Sequence, residues 1–210
     1  MTAFVIALVG AESTGKTQLS AALREALATR EYRVAVVAEY LREFCEAHGR
    51  TPRQHEQVHI AAEQTARIAS AARDHDIVIA DTTALMIAVY SDHVFGDTGL
   101  YASAEAAHAR CPLTLLTALD LPWQADGLQR DGPQVREPID ALVRAALGRA
   151  GTGYAVVSGS GPARLAAAVA AVRKALAPPP PDEARSPRWQ WHCDRCGEAG
   201  CERHGLLPHL

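Results

Sequence analysis

Five short apolar runs mark the first three quarters of the chain, at residues 3–9, 33–38, 77–80, 113–119 and 154–157. Each is nearly continuous rather than alternating, which predicts parallel β-strands buried on both faces. Between the runs the period changes. Leu19, Leu23, Ala26 and Leu27 recur at helical spacing after Lys16, and Val58, Ala61, Ala62, Thr65, Ile68 and Ala72 predict a helix reaching about Arg73. Thr51-Pro52-Arg53-Gln54 reads as the start of that helix: Thr51 caps, Pro52 suits the first turn and Gln54 completes a capping box. Gly161-Pro162 opens a last helix with Leu165, Val169, Val172 and Leu176 on one face. Strands alternating with helical crossovers predict an α/β fold, a three-layer sandwich around a five-stranded parallel sheet.

Two stretches interrupt the alternation. Residues 120–138 contain three prolines, two glycines and two arginines and read as a long loop of the kind that forms active-site lids. Four consecutive prolines, 178–181, mark a stiff linker and the end of the core. The expected organisation is a main domain over 1–177, a Pro-rich linker over 178–188, and a short Cys-rich C-terminal tail over 189–210.

Composition narrows the functional classes. A chain of 210 residues suits one α/β domain, and a hydrophobic fraction of 48% supplies its core. The net charge of −3 gives no strong pull toward nucleic acid or an anionic membrane. No apolar run approaches the ~20 residues that span a bilayer. The first apolar run leads straight into a glycine-rich motif, so a cleaved signal is not expected and a cytoplasmic location is. Cys45 and Cys111 stand alone in the body while three cysteines crowd the tail, which is not the spread of a disulfide framework.

The strongest chemical signal is Gly10-Ala11-Glu12-Ser13-Thr14-Gly15-Lys16-Thr17, which fits G-x-x-x-x-G-K-[ST] at every fixed position. The glycines let the backbone curl so that successive amides point at phosphate oxygens. The helix that follows presents its positive end to the same anion. Lys16 reaches the β- and γ-phosphates and Thr17 offers a hydroxyl to Mg²⁺. A strand before the motif and a helix after it supply the context that a chance match lacks, so ATP is the expected ligand.

Ligands of such sheets lie beyond the carboxyl ends of the strands. There the second apolar run meets Glu39-Tyr40 and Arg42, and the third meets Asp81. Asp81 suits a role in the metal site with Thr17, or as its hydrogen-bond partner. Glu39 suits substrate contact or general base, or capping of a helix; Arg42 pairs with Glu39 or touches a phosphate. In the long loop, Arg130 and Arg136 are candidates for offsetting charge on the transferred phosphoryl group, or are solvated loop arginines. Trp123 either stacks on a flat, cationic ring or packs on the core.

In the tail, Cys193-x₂-Cys196-x₄-Cys201-x₂-His204 offers three thiols and an imidazole to tetrahedral Zn²⁺, the alternative being a tail of free cysteines. From residue 182 onward five acidic residues face four arginines, without the basic footprint of nucleic-acid binding.

Together, Gly10–Thr17, Glu39-Tyr40-Leu41-Arg42-Glu43-Phe44, Ile60-Ala61-Ala62-Glu63-Gln64, Asp81-Thr82 and Pro122-Trp123-Gln124-Ala125-Asp126-Gly127-Leu128 resemble the ribosylnicotinamide kinase domain of NadR-type proteins. The likeness covers roughly residues 3 to 176. It implies phosphorylation of nicotinamide riboside at its 5′-hydroxyl by ATP and Mg²⁺, with Glu39, Tyr40, Arg42, Trp123 and Asp126 on the substrate side. NadR-type proteins carry an adenylyltransferase domain before the kinase, and this chain begins at the first strand of the kinase, so adenylyl transfer is not expected. Gln129 stands where such proteins have an arginine directly after the D-G-x element, with Arg130 one place on. The expectation is therefore an ATP-dependent nucleoside kinase, a phosphotransferase acting on a small-molecule nucleoside. The alternative is a regulatory ATPase with a partner-binding tail. A GTPase is disfavoured because Thr117-Ala118-Leu119-Asp120 lacks the lysine of the guanine-reading motif.

Overall fold

In the computed structural model, which describes residues 3–28, 32–124 and 132–177, the five apolar runs form five strands. These are β1 (Phe4–Val9), β2 (Val34–Val37), β3 (Ile77–Asp81), β4 (Leu113–Thr117) and β5 (Ala155–Val157). All pairings are parallel and the order is β2-β3-β1-β4-β5. The strand that feeds the phosphate loop is therefore central. It is paired on both sides, with Leu8 beside Asp81 and beside Leu115.

Seven α-helices are seen among the described residues: α1 (Lys16–Leu27), α2 (Tyr40–His48), α3 (Gln57–Asp74), α4 (Ala84–Phe95), α5 (Tyr101–His108), α6 (Arg136–Arg149) and α7 (Gly161–Leu176). They sort onto two faces because strand side chains alternate. Ile6 and Leu8 of β1 point to the layer of α1 and α7, where they meet Leu19, Leu23, Ala168 and Val172. Val9 joins the opposite core, built from Phe44, Ile60, Leu85, Ile87, Ile139 and Leu147 of α2, α3, α4 and α6. Ile6 and Leu8 have no exposed surface, and burial of each contributes about 2 kcal/mol. None of the described helices is long and apolar enough to cross a membrane.

Three local expectations change. The carboxylate that receives an end amide before α3 is Glu56, which accepts the Arg53 amide at 2.7 Å in a short 3-10 turn, Gln54–Glu56. Thr51 and Gln54 do not form the expected capping box, because Arg50 also grips Glu56 with two 2.7 Å bonds and draws the turn around it. That pairing, with the Arg53 amide, pulls the Glu56 carboxyl down to about 2. The stretch expected as one loop over 120–138 is helical at its end: a 3-10 turn at Pro133–Val135 runs into α6, and Pro138 fits the first turn, where its missing amide costs nothing. Glu39 and Tyr40 are not at the tip of a strand. β2 stops at Val37, Glu39 is extended just before α2, and Tyr40 is the first residue of that helix.

Candidate active site

The phosphate loop connects β1 to α1, and its backbone carries the shape that glycine permits. Gly10 has φ 143° and Gly15 φ 76°, and a β-carbon at Gly10 would collide with the Thr117 hydroxyl. Ser13 adopts φ 56°, a left-handed value for a residue with a side chain. The loop is fastened from below. Thr14 Oγ1 bonds the Ala11 carbonyl and Thr117 Oγ1, each at 2.7 Å, and Thr117 in turn bonds the Val9 carbonyl. Lys16 Nζ donates to the Gly10 and Ala11 carbonyls at 2.8 Å.

A second fastening escaped the sequence reading. Arg164, near the start of α7 and 5% exposed, donates from Nη2 to the Thr14 carbonyl at 2.7 Å and from Nη1 to Asp120 and the Gly159 carbonyl. Asp120 also receives the Gly159 amide. Burial alone would raise the Asp120 carboxyl, but the Gly159 amide and the guanidinium outweigh it and hold the group below its ordinary range. The end of β4, the turn after β5 and the phosphate loop are thus tied at one arginine. In sequence, Arg164 looks like any polar residue of an amphipathic helix.

Gln64 does the equivalent work across the cleft. It has no exposed surface, accepts the Tyr40 amide at 2.8 Å, and donates to the Ala38 and Thr82 carbonyls at 3.2 and 3.3 Å. One side chain therefore joins the ends of β2 and β3 to the start of α2. Thr82 sits at φ 83°, a strained value that this bond helps to hold.

A cavity of about 780 Å³ opens over the loop. One wall is the loop itself, from Glu12 to Gln18. Facing it are Glu39, Leu41 and Arg42, and an apolar side formed by Met86, Tyr90, Val94 and Phe95 of α4. Pro122 and Gln124 close one end.

Of the expected residues, Glu12 to Thr17, Glu39 and Arg42 meet in this cavity, while Gly10 and Ala11 lie beneath it. Asp81 is 3% exposed at the end of β3, behind the cavity wall that Thr82 reaches. Tyr40 turns away: Arg67 stacks 4.4 Å over its ring and its hydroxyl approaches His59. Trp123 is not in the wall; its indole N–H donates to Glu12 Oε1 at 3.1 Å. Arg136 is not a solvated loop arginine. It is 8% exposed in α6 and donates to the Leu121 carbonyl at 2.9 Å. Asp126, Arg130 and the four tail ligands Cys193, Cys196, Cys201 and His204 lie outside the described residues. Among the described residues no group of three or more His, Cys, Asp or Glu is placed to hold a metal. Thr17 and Asp81 are hard oxygen donors at the cavity and at the adjacent strand end, the chemistry that Mg²⁺ prefers.

Comparison with known proteins agrees with this fold. A family model described as an AAA domain matches residues 5–164. Two crystal structures of NadR protein, one with NAD and AMP-PNP and one with NR, superpose with TM-scores of 0.67 and 0.68 at 20% identity. In each, 82% of this chain is covered but only 49% of the other, so the chain spans about half the length of NadR. A deoxyadenosine kinase from M. mycoides, with dCMP and dCDP as products, matches with a TM-score of 0.56 at 12% identity, over 81% of this chain and 99% of that one. No curated protein matches the sequence. The fold is that of a P-loop kinase.

Proposed function

The chain belongs to this AAA domain family, and on that premise we propose that it is an ATP-dependent nucleoside kinase whose acceptor is nicotinamide riboside. The observation that carries the reading is the two-sided cavity. One side is a phosphate loop; the other, Glu39, Leu41, Arg42 and α4, combines a carboxylate, a guanidinium and an apolar surface around a cavity of about 780 Å³, room for a flat base and a sugar. An ATPase needs only water as acceptor. The likeness to NadR, one structure of which holds NR, supports the choice of acceptor.

In this reading the loop amides and Lys16 hold the triphosphate, and Lys16 exchanges its two carbonyl partners for phosphate oxygens. Thr17 and Asp81 would hold Mg²⁺, which offsets charge on the phosphates. Glu39 is the carboxylate that takes the proton of the 5′-hydroxyl as that oxygen bonds the γ-phosphorus and ADP leaves. Arg42 lines the cavity beside Glu39, Arg136 supports it from behind through the Leu121 carbonyl, and the remaining work is positioning.

A panel of nucleosides assayed with ATP and Mg²⁺ tests the proposal. Nicotinamide riboside is expected to accelerate ATP consumption and to yield nicotinamide mononucleotide. ATP turnover that is rapid without any acceptor, with no mononucleotide formed, would overturn it.

A further inference from the structure

Glu12 occupies the third position of a loop whose amides, helix end and lysine all favour anions. A carboxylate there repels the phosphates that the loop holds, so ATP binding does not explain it. Its surroundings point elsewhere. The residue is 7% exposed and lines the cavity. Oε1 accepts the Trp123 indole N–H, while Oε2 is buried and has no partner. A buried carboxylate served by one neutral donor is under-satisfied, and at the wall of a cavity a hydroxyl donor of a ligand is one way to complete it. The segment that supplies Trp123 is itself pinned to the loop, since the Gln124 amide donates to Ser13 Oγ at 2.7 Å.

We propose that Glu12 is a specificity residue for the acceptor, and that its second oxygen accepts a hydrogen bond from a ring hydroxyl of a ribosyl substrate, with Trp123 as its positioning residue. The proposal rests on the kinase reading above. The torsions of a glutamate side chain are soft, so the carboxylate pivots as a unit against the indole N–H and brings its second oxygen to the cavity that the residue already lines. A carboxylate–hydroxyl bond is short and charge-assisted, and a site built to make it rejects an analogue without the hydroxyl. One loop then serves both substrates: its backbone takes the donor's phosphates and one side chain reads the acceptor's sugar.

The test is kinetic, with nicotinamide riboside and its 2′-deoxy and 3′-deoxy analogues as probes. Glu12→Gln keeps an oxygen for Trp123 and removes the charge. Its acceptor KM is expected to rise about 10- to 100-fold, with the ATP KM unchanged or lower. That penalty should vanish on the analogue that lacks the hydroxyl being read. Trp123→Phe, which deletes the N–H, should shift the acceptor KM in the same direction by less and leave the ATP KM alone. A rise in the ATP KM that matches the acceptor's, or an undiminished penalty on both deoxy analogues, overturns the inference while leaving the kinase reading intact. A wild-type enzyme that phosphorylates no riboside removes that reading and this inference together.

Discussion

On the donor side of the cleft, Lys16, Thr14, Thr117, Arg164 and Asp120 are bonded to the phosphate loop or to one another, most of them out of solvent. On the acceptor side, Glu39, Leu41 and Arg42 are half-exposed and face α4 residues, Val94 and Phe95, that are 52% and 37% exposed. The donor wall is a rigid cradle for a ligand common to many enzymes. The acceptor wall is open, apolar and contributed by separate segments that Gln64 joins at their bases. Pre-organisation is concentrated where charge must be met by fixed dipoles, while the wall to which the proposed reaction assigns the acceptor is left accessible.

That contrast can be broken in several places. Lys16→Ala should cut phosphoryl transfer by about 10³-fold or more, the scale for loss of one fixed electrostatic donor, with the unfolding midpoint little changed. Retained activity would mean that the cradle is not the donor site. Arg164→Ala should cost about 3 kcal/mol in chemical denaturation, because the Thr14 carbonyl and Asp120 lose a buried partner, and should raise the ATP KM by a larger factor than the acceptor KM. Equal shifts in both would merge the two walls into one unit.

A third measurement probes a buried joint between the β3 end and β4. His108 is 1% exposed, bridges Thr83 of the β3 end and Thr114 of β4, and is pushed down to about 4 by burial. The unfolded chain takes up a proton below pH ~6.5 that the folded chain refuses until about 4. Its contribution is therefore present above ~6.5 and is lost as pH falls, by about 2 kcal/mol between pH 7 and pH 5. Urea titrations across that range should show the slope, and His108→Gln should flatten it. The smallest expected effect is on the acceptor side: Trp123→Ala should raise the acceptor KM about 10-fold and the ATP KM less. An unchanged acceptor KM would detach Trp123 from substrate selection.

How much of this was legible followed from how local each signal is. The strands could be read because a parallel strand buried on both faces is a continuous apolar run. The cradle could be read because its residues are contiguous. The roles of Gln64 and Arg164 could not, since all their partners but Gly159 lie 18 to 150 residues away, Gln64 entered only within the 60–64 segment of the resemblance, and both residues fit ordinary helix faces. Tyr40 and Trp123 show the converse. Both were placed by sequence on the substrate side, and neither lines the cavity: the Tyr40 ring is covered by Arg67 and the Trp123 indole is bonded to Glu12, contacts that sequence spacing does not reveal. Arg136 was read as a loop arginine because the helix it opens begins among prolines and polar residues.

The place of β1 in the sheet has a further consequence for how the molecule opens. A central strand with a neighbour on each side surrenders its amide hydrogens only when the whole sheet comes apart, whereas β2 and β5 are edges that fray separately. Isotope exchange should therefore reach β2 and α2 well before β1. In the proposed reaction the 39–42 part of the acceptor wall hangs from that edge, whereas α4 follows β3 inside the sheet, so that part is expected to open for an acceptor while the phosphate loop stays anchored on β1.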